Sequence, residues 1–270
     1  MAVTFYAFDS TTIDLCLSVF WWAKFRKKKG GIKVHTLYDV ETQIPAFFHI
    51  TEASVHDSKV MIEIPYEPSS YYIFDRGYNN FKILYKIHQI EAYFVVRAKK
   101  NLGYKSIQWK RRLPKNVLSD ASVFLTGFYP KQYYPEPLRL VKYWDEEQER
   151  EFTFITNAMH ISALQVAELY KNRWQVELFF KWLKQHLKIK RFWGTTENAV
   201  RIQIYAAICA YCLVAIIQHD MQLNRSTYEV LQILSISLTD KTHLRDLFDK
   251  TKFQNDKERF GPNGPSLFNF

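Results

Sequence analysis

Hydrophobic and polar positions group into short strand-like runs over the first hundred residues, then into longer stripes with helical spacing. Residues 3–8 (VTFYAF) are a β-branched and aromatic run that predicts a strand, ending at Asp9 and followed by Ser10, Thr11 and Thr12. Residues 32–38 and 44–50 read as two further strands, which with the first suggest an antiparallel meander of three. Between them and the first strand, residues 26–29 with Gly30 and Gly31 read as a basic hairpin turn. A short helical segment after His56, Asp57 and Ser58 runs to Ile64 and is closed by Pro65 and Pro68. Capping by Asp57 or Ser58 explains that start, with a metal or proton-relay role for His56 as the alternative. Residues 71–74 predict a buried strand ending in Asp75, residues 80–89 a helix, and residues 92–96 a fifth strand. This order predicts an α/β fold, a mixed sheet with helices packed on it.

From 97 to 157 the pattern changes. Arg97, Lys99, Lys100, Lys105, Lys110, Arg111 and Arg112 make a basic lead-in with Tyr104 and Trp109 interleaved. Strand-like pieces follow at 122–128, 138–143 and 152–156, punctuated by Pro130, Pro135 and Pro137. The segment reads as a β-rich insertion, dividing the chain into 1–96, 97–157 and 158–270. Residues 170–184 (YKNRWQVELFFKWLK) lack Pro and Gly and predict one helix. At 100° per residue Tyr170, Arg173, Glu177 and Lys184 fall within about 60° of arc, beside an apolar stripe of Leu169, Val176, Phe180, Leu183 and Leu187. Residues 198–218 predict a buried helix. The apolar run inside it, 202–217, falls short of the roughly 20 residues a membrane span needs. Cys209 and Cys212 then read as buried helix neighbours rather than a redox or zinc pair. Apolar segments at 231–238 and 244–248 precede a Gly/Pro-punctuated tail, 257–270.

Composition narrows the partner. The 270 residues are 47% hydrophobic and 24% charged, a folded globular balance. The net charge of +10 favours a polyanion, nucleic acid or an anionic membrane. Aromatics at 17% can stack on unpaired bases, though most belong to the core. Three cysteines make no disulfide framework and point to a reducing compartment.

Three carboxylates stand out by placement: Asp9 and Asp75 at the ends of predicted strands, and Glu177 on a helix edge among cations. Hard oxygen ligands of this kind suit Mg²⁺, and phosphodiester chemistry uses two such ions. Tyr170, Arg173, Glu177 and Lys184, spaced Y-x2-R-x3-E-x6-K, resemble the Y-R-E-K signature of IS4-like transposases. FDST around Asp9 and FDRGY around Asp75 resemble the flanks of that family's other two acids. The resemblance covers nearly the whole chain. It implies a DDE transposase with an RNase H-like core, in which Asp9, Asp75 and Glu177 hold two Mg²⁺ ions, replaceable by Mn²⁺. It also implies cut-and-paste transposition through a hairpin, and a homodimer in a synaptic complex with transposon-end and target DNA. Tyr170, Arg173 and Lys184 would bind the DNA backbone, Arg97, Lys99, Lys100 and Trp109 would face DNA from the insertion, and Trp109 or Trp144 would receive a flipped base. The implied setting is the bacterial cytoplasm, at the nucleoid when DNA-bound, with no membrane partner. Because the first strand starts almost at Met1, the chain is expected to be a catalytic core without the family's N-terminal end-binding domain. An inactive remnant that binds DNA non-specifically is the alternative expectation.

Overall fold

A computed structural model describes residues 3–26, 29–186, 192–237, 239 and 241–250. The chain divides into two compact units, Met1–Cys209 and Ala210–Phe270. In the first, β1 (Phe5–Leu15), β2 (Lys24–Arg26), β3 (Lys29–Asp39) and β4 (Pro45–Glu52) pair antiparallel. The short strands β5 (Tyr71–Phe74) and β6 (Tyr93–Arg97) continue the sheet from β1 as parallel neighbours. The strands β7 (Tyr104–Trp109), β8 (Val117–Leu125), β9 (Leu138–Asp145) and β10 (Arg150–Thr156) belong to the same sheet, because β10 pairs antiparallel with β6. The order is β2-β3-β1-β5-β6-β10-β9-β8-β7, with β4 on β3.

Both faces of β5 are buried, as a central parallel strand requires. One face of the sheet carries the core of Phe8, Tyr72, Phe74, Phe94 and Leu140, covered by α1 (Asp57–Val60) and α2 (Phe81–Gln89), which Asn80 caps. On the other face Ile73, Val95, Val141 and Phe154 pack against Val166 and Tyr170 of α4 (Ala163–Lys171). Ser162 and Gln165 start α4 with a reciprocal capping box. The strand-to-helix link ahead of α4 is pinned from several sides. Asn157 bonds the backbone of Phe94 and Ala92, and Tyr71 bonds His160. Arg139, buried beside Asp120, donates to the carbonyls of Ala158 and Ile161.

Several expectations change. Asp9 does not end its strand: β1 runs six residues further, because its antiparallel ladder with β3 continues where its parallel pairing with β5 stops, at Phe8↔Phe74. Gly30 and Gly31 are buried inside β3 rather than in a hairpin turn, and a Cβ on Gly30 would stand 3.0 Å from the carbonyls of Ala23 and Leu15. Residues 27 and 28 of that basic run lie outside the described residues. The helix expected over 170–184 is two helices, α4 and α5 (Trp174–His186), joined by Asn172 and Arg173. The N–H groups of Asn172 and Arg173 bond back three residues, to Leu169 and Tyr170, which tightens the last turn of α4 and interrupts the α-helical ladder. Val176, Phe180 and Leu183 of the expected stripe are buried and Leu169 half-buried, while Leu187 lies outside the described residues. A short helix, α3 (Phe128–Tyr133), begins where the pattern predicts the end of a strand.

The helix α6 (Glu197–Asp220) is long and apolar enough, by length and composition, to cross a membrane. It is not a buried helix. Val200, Ile204 and Ile208 are buried, but Ile202, Tyr205 and Cys209 are exposed, so only one side of its first half is covered. In the second unit Val214, Val230, Ile233 and Phe248 form a small core among α6, α7 (Thr227–Ile236) and α8 (Leu244–Lys250). Leu238 and the expected tail 257–270 lie outside the described residues.

Asp120→Ala would strand the buried Arg139 charge, and urea unfolding is expected to report a loss of about 3–5 kcal/mol. Burial would raise the Asp120 carboxyl, but Arg139 and Lys110 outweigh it and hold it below the ordinary 3.8. The pair's contribution is therefore complete above pH 3.8 and fades as pH falls through the lower folded value, a loss that should disappear in the Asp120→Ala protein.

Candidate active site

The parallel strands place three side chains at one level. Phe8, Phe74 and Val96 are register partners across β1, β5 and β6, so Asp9, Asp75 and Arg97 each stand one residue past them. Asp75 leaves the sheet at once into a 3₁₀ turn, Arg76–Tyr78. Asp9 accepts the Ser10 N–H at 2.8 Å through Oδ1 and Arg173 Nη1 at 2.8 Å through Oδ2. The other arm of the same guanidinium, Nη2, reaches Glu177 Oε1 at 2.6 Å. Tyr170 donates its hydroxyl to Asp75 Oδ1 at 3.0 Å, and Arg173 lies 5.7 Å from the Tyr170 ring centre. Tyr170 comes from α4, Glu177 from α5, and Arg173 from the junction between them.

Burial raises the Asp9 carboxyl to about 6; the Ser10 N–H and Arg173 oppose that rise, while Glu177 and Asp75 add to it. Burial also pushes the Tyr170 phenol up to about 12, with Asp75 contributing, so it stays a neutral donor. Three carboxylates thus crowd a partly desolvated spot, with one guanidinium between two of them. Among the described residues no three His, Cys, Asp or Glu side chains already stand at metal-binding distances from one another. The donor set fits a hard divalent cation all the same, since all three are oxygen anions whose repulsion a cation would relieve.

Beside the carboxylates opens a cleft of about 380 Å³. Its cations are Arg97, Arg150, Lys171 and Arg173, set against one carboxylate, Asp145, which Lys171 approaches, and its aromatic side chains include Tyr143, Phe152 and Trp174. Phe152 lies between two guanidinium groups, Arg97 at 4.8 Å and Arg150 at 4.4 Å from its ring centre. A basic, aromatic recess of this kind accepts a phosphate and a stacked ring together.

The sequence-predicted residues divide by distance. Asp9, Asp75, Glu177, Tyr170, Arg173 and Arg97 come together. Lys184 is half-buried on α5, seven residues from Glu177, about 10 Å along the helix axis. Lys99 and Lys100 are exposed just past β6. Trp109 is exposed on β7, the outermost strand, four strands from β6 and so roughly 19 Å away at ordinary strand spacing. Neither it nor Trp144, exposed on β9, lines the cleft. Sequence reasoning missed Arg150, Phe152 and Trp174, although Trp174 adjoins Arg173 in the signature. It also missed a polar group beneath β1: Ser10 donates to Asp57 Oδ1 at 2.8 Å, and Lys33 reaches the same oxygen at 3.0 Å. The cap of α1 is His56, whose Nδ1 accepts the Ser58 N–H, which leaves Asp57 for that contact.

A sequence profile described as a transposase DDE domain matches residues 4–213. The chain is 37% identical over 246 residues to a protein of Sinorhizobium fredii (strain NBRC 101917 / NGR234) named as transposase y4zB, covering 88% of this chain and 67% of that one. It is 31% identical over 205 residues to a Geobacillus stearothermophilus protein named as the transposase of insertion sequence element IS5377, covering 76% and 54%. It is 25% identical over 249 residues to a Synechocystis sp. (strain ATCC 27184 / PCC 6803 / Kazusa) protein named as the transposase of insertion sequence element IS4SA, covering 87% and 67%. The chain thus spans between 54% and 67% of these relatives' lengths. Among solved structures, a cryo-EM piggyBac transposase synaptic complex with hairpin DNA superposes with a TM-score of 0.54 at 12% identity, over 99% of this chain and 61% of that one. That likeness shows the fold, an RNase H-like sheet flanked by helices.

The raised Asp9 carboxyl gives a stability signature in chelator. Its folded value near 6 exceeds the unfolded 3.8, so the folded state holds the extra proton and Asp9's contribution declines as pH rises from about 4 to 6. Melting temperatures of the parent chain and Asp9→Asn are expected to diverge in favour of the variant across that window.

Proposed function

The chain belongs to the family defined by the transposase DDE domain and is of the IS4-like kind, and from that premise we propose that it is the catalytic core of a DNA transposase. The proposed reaction is hydrolysis and transfer of phosphodiesters at transposon ends, in a cut-and-paste sequence that passes through a hairpin. One observation carries the reading: Asp9 and Asp75 stand one residue past the last register pair of two parallel strands, and Arg173 draws Glu177 to Asp9.

In this reading Asp9, Asp75 and Glu177 hold divalent ions, Mg²⁺ with Mn²⁺ as a substitute. Bound there, two ions would supply Lewis-acid activation of the attacking oxygen and charge neutralisation of the leaving one. The chain's own groups do the positioning. Tyr170 holds the Asp75 carboxylate in one orientation through its hydroxyl. Arg173, with one arm on Asp9 and the other on Glu177, holds those two acids together, and Arg97 and Arg150 present charge along the adjoining cleft. Tyr143 and Trp174, which line the cleft as Trp109 and Trp144 do not, give an unpaired base a surface to stack on, while the buried Phe152 ring seats the Arg97 and Arg150 guanidinium groups. Lys184, Lys99, Lys100 and Trp109 extend the path for the DNA backbone, which fixes register without reading sequence. DNA partners, the synaptic homodimer and the division at 97 and 157 belong to the same proposal.

Mg²⁺-dependent nicking or strand transfer on transposon-end DNA tests it. Glu177→Ala is expected to lower the rate by more than about a hundredfold, because a direct ligand outweighs the groups that merely orient one. A nicking rate equal to the parent's would end the assignment. Replacing Arg97, Lys99 and Lys100 with Ala should leave sequence preference alone. The slope of log affinity against log salt, read by fluorescence anisotropy, should shrink by about 0.9 for each duplex phosphate that these side chains no longer neutralise.

A further inference from the structure

Beneath β1, on the side away from Arg173, lies a polar group that the proposed chemistry does not use. Asp9 and Ser10 are consecutive on an extended strand, so their side chains leave it in opposite directions. The Asp9 side chain meets Arg173, and the Ser10 hydroxyl meets Asp57 Oδ1 at 2.8 Å. That oxygen also takes Lys33 Nζ at 3.0 Å, and the same ammonium donates to the Val55 carbonyl at 2.9 Å. Lys33 therefore ties the turn before α1 to β3. The ring of His35, fully buried, bonds Thr51 through Nε2 and stands 3.9 Å from Asp57 through Nδ1.

This arrangement is costly as a stabilising device. A half-buried carboxylate and a largely buried ammonium lose hydration under a strand whose neighbours Phe8, Val34 and Tyr78 are apolar or aromatic, and well-packed hydrophobic side chains commonly do as well there. What the cluster does is hold Ser10. Ser10 in turn gives its backbone N–H to Asp9 Oδ1 at 2.8 Å, which leaves Oδ2 for Arg173, whose other arm holds Glu177. We infer that Asp57 is a positioning residue for the candidate metal site: acting through Ser10 it orients the Asp9 carboxylate, and Lys33 holds Asp57 in place for that task. The inference rests on the reading of Asp9 as a metal ligand. Groups bonded to a metal-binding carboxylate are worth roughly ten- to a hundredfold in affinity when they fix its orientation.

The test is Mn²⁺ titration of the full chain followed by electron paramagnetic resonance, with circular dichroism melts on each variant to count folded protein. Ser10→Ala and Asp57→Ala are each expected to weaken Mn²⁺ binding per folded molecule by about tenfold or more. Asp57→Asn should restore most of that affinity, because the amide oxygen still accepts from Ser10. Affinity in Ser10→Ala and Asp57→Ala equal to the parent's, once folded fraction is counted, would overturn the positioning role. So would a failure of Asp57→Asn to bind better than Asp57→Ala. Asp9→Asn separates the two levels. If it abolishes binding while Asp57→Ala does not weaken it, only the positioning role falls; if it changes nothing, the metal reading falls and takes this inference with it.

Discussion

Like charges at close range are the constraint on which this structure turns. Asp9, Asp75 and Glu177 are brought toward one point by elements far apart in the chain, and without a compensating charge they would drive those elements apart. The Arg173 guanidinium supplies that charge with one arm on Asp9 and the other on Glu177. Arg173 and Glu177 stand four residues apart, the spacing at which helix neighbours pair, and Tyr170 precedes them near the end of α4. The four signature residues have the spacing of a single helical edge. Here they work as two helices and the turn between them.

The sheet supplies the rigidity that such a site needs. Asp75 follows a strand buried on both faces, and Asp9 sits where β1 parts from β5 yet stays bonded to β3. On the far side, β10 pairs with β6 and brings Phe152 and Arg150 next to Arg97. Arg139 and Asp120 then fasten the link from β10 into α4 and so fix where Tyr170 stands. The strand wall of the cleft is thus held by hydrogen bonds to neighbouring strands.

Much of this is legible in the residues. The run YYIF followed by Asp reads as a short buried strand, and it is one. The mixed sheet with its meander and flanking helices follows from strand and helix patterns alone. Other features have no local signal. The polar stretch after Asp9 reads as the end of a strand because its pairing partner, β3, is remote in sequence. The turn at Asn172 contains neither Pro nor Gly, and a pattern that fits one helix equally fits two with a kink. The helix α6 is apolar on every side, so its sequence cannot tell which face is covered. Asp57 reads as a cap because caps are local, whereas its contact with Ser10 spans 47 positions. Trp109 and Trp144 stand out in the sequence by their size, yet strand order and the face each side chain takes decide which aromatics line the cleft: Tyr143 does and its neighbour Trp144 does not.

The division of the signature between α4 and α5 has a mechanical consequence. Tyr170 is registered by the sheet through Phe152 and Phe154, whereas Glu177 is registered by the seating of Val176, Phe179 and Phe180. Two rods with separate footings can be trimmed one at a time, so a small error in the seat of one is not passed on to the other. Divergent sequences could then repack either footing while the distance between the acids stayed constant, and Arg173, at the joint, acts as the gauge that keeps it so.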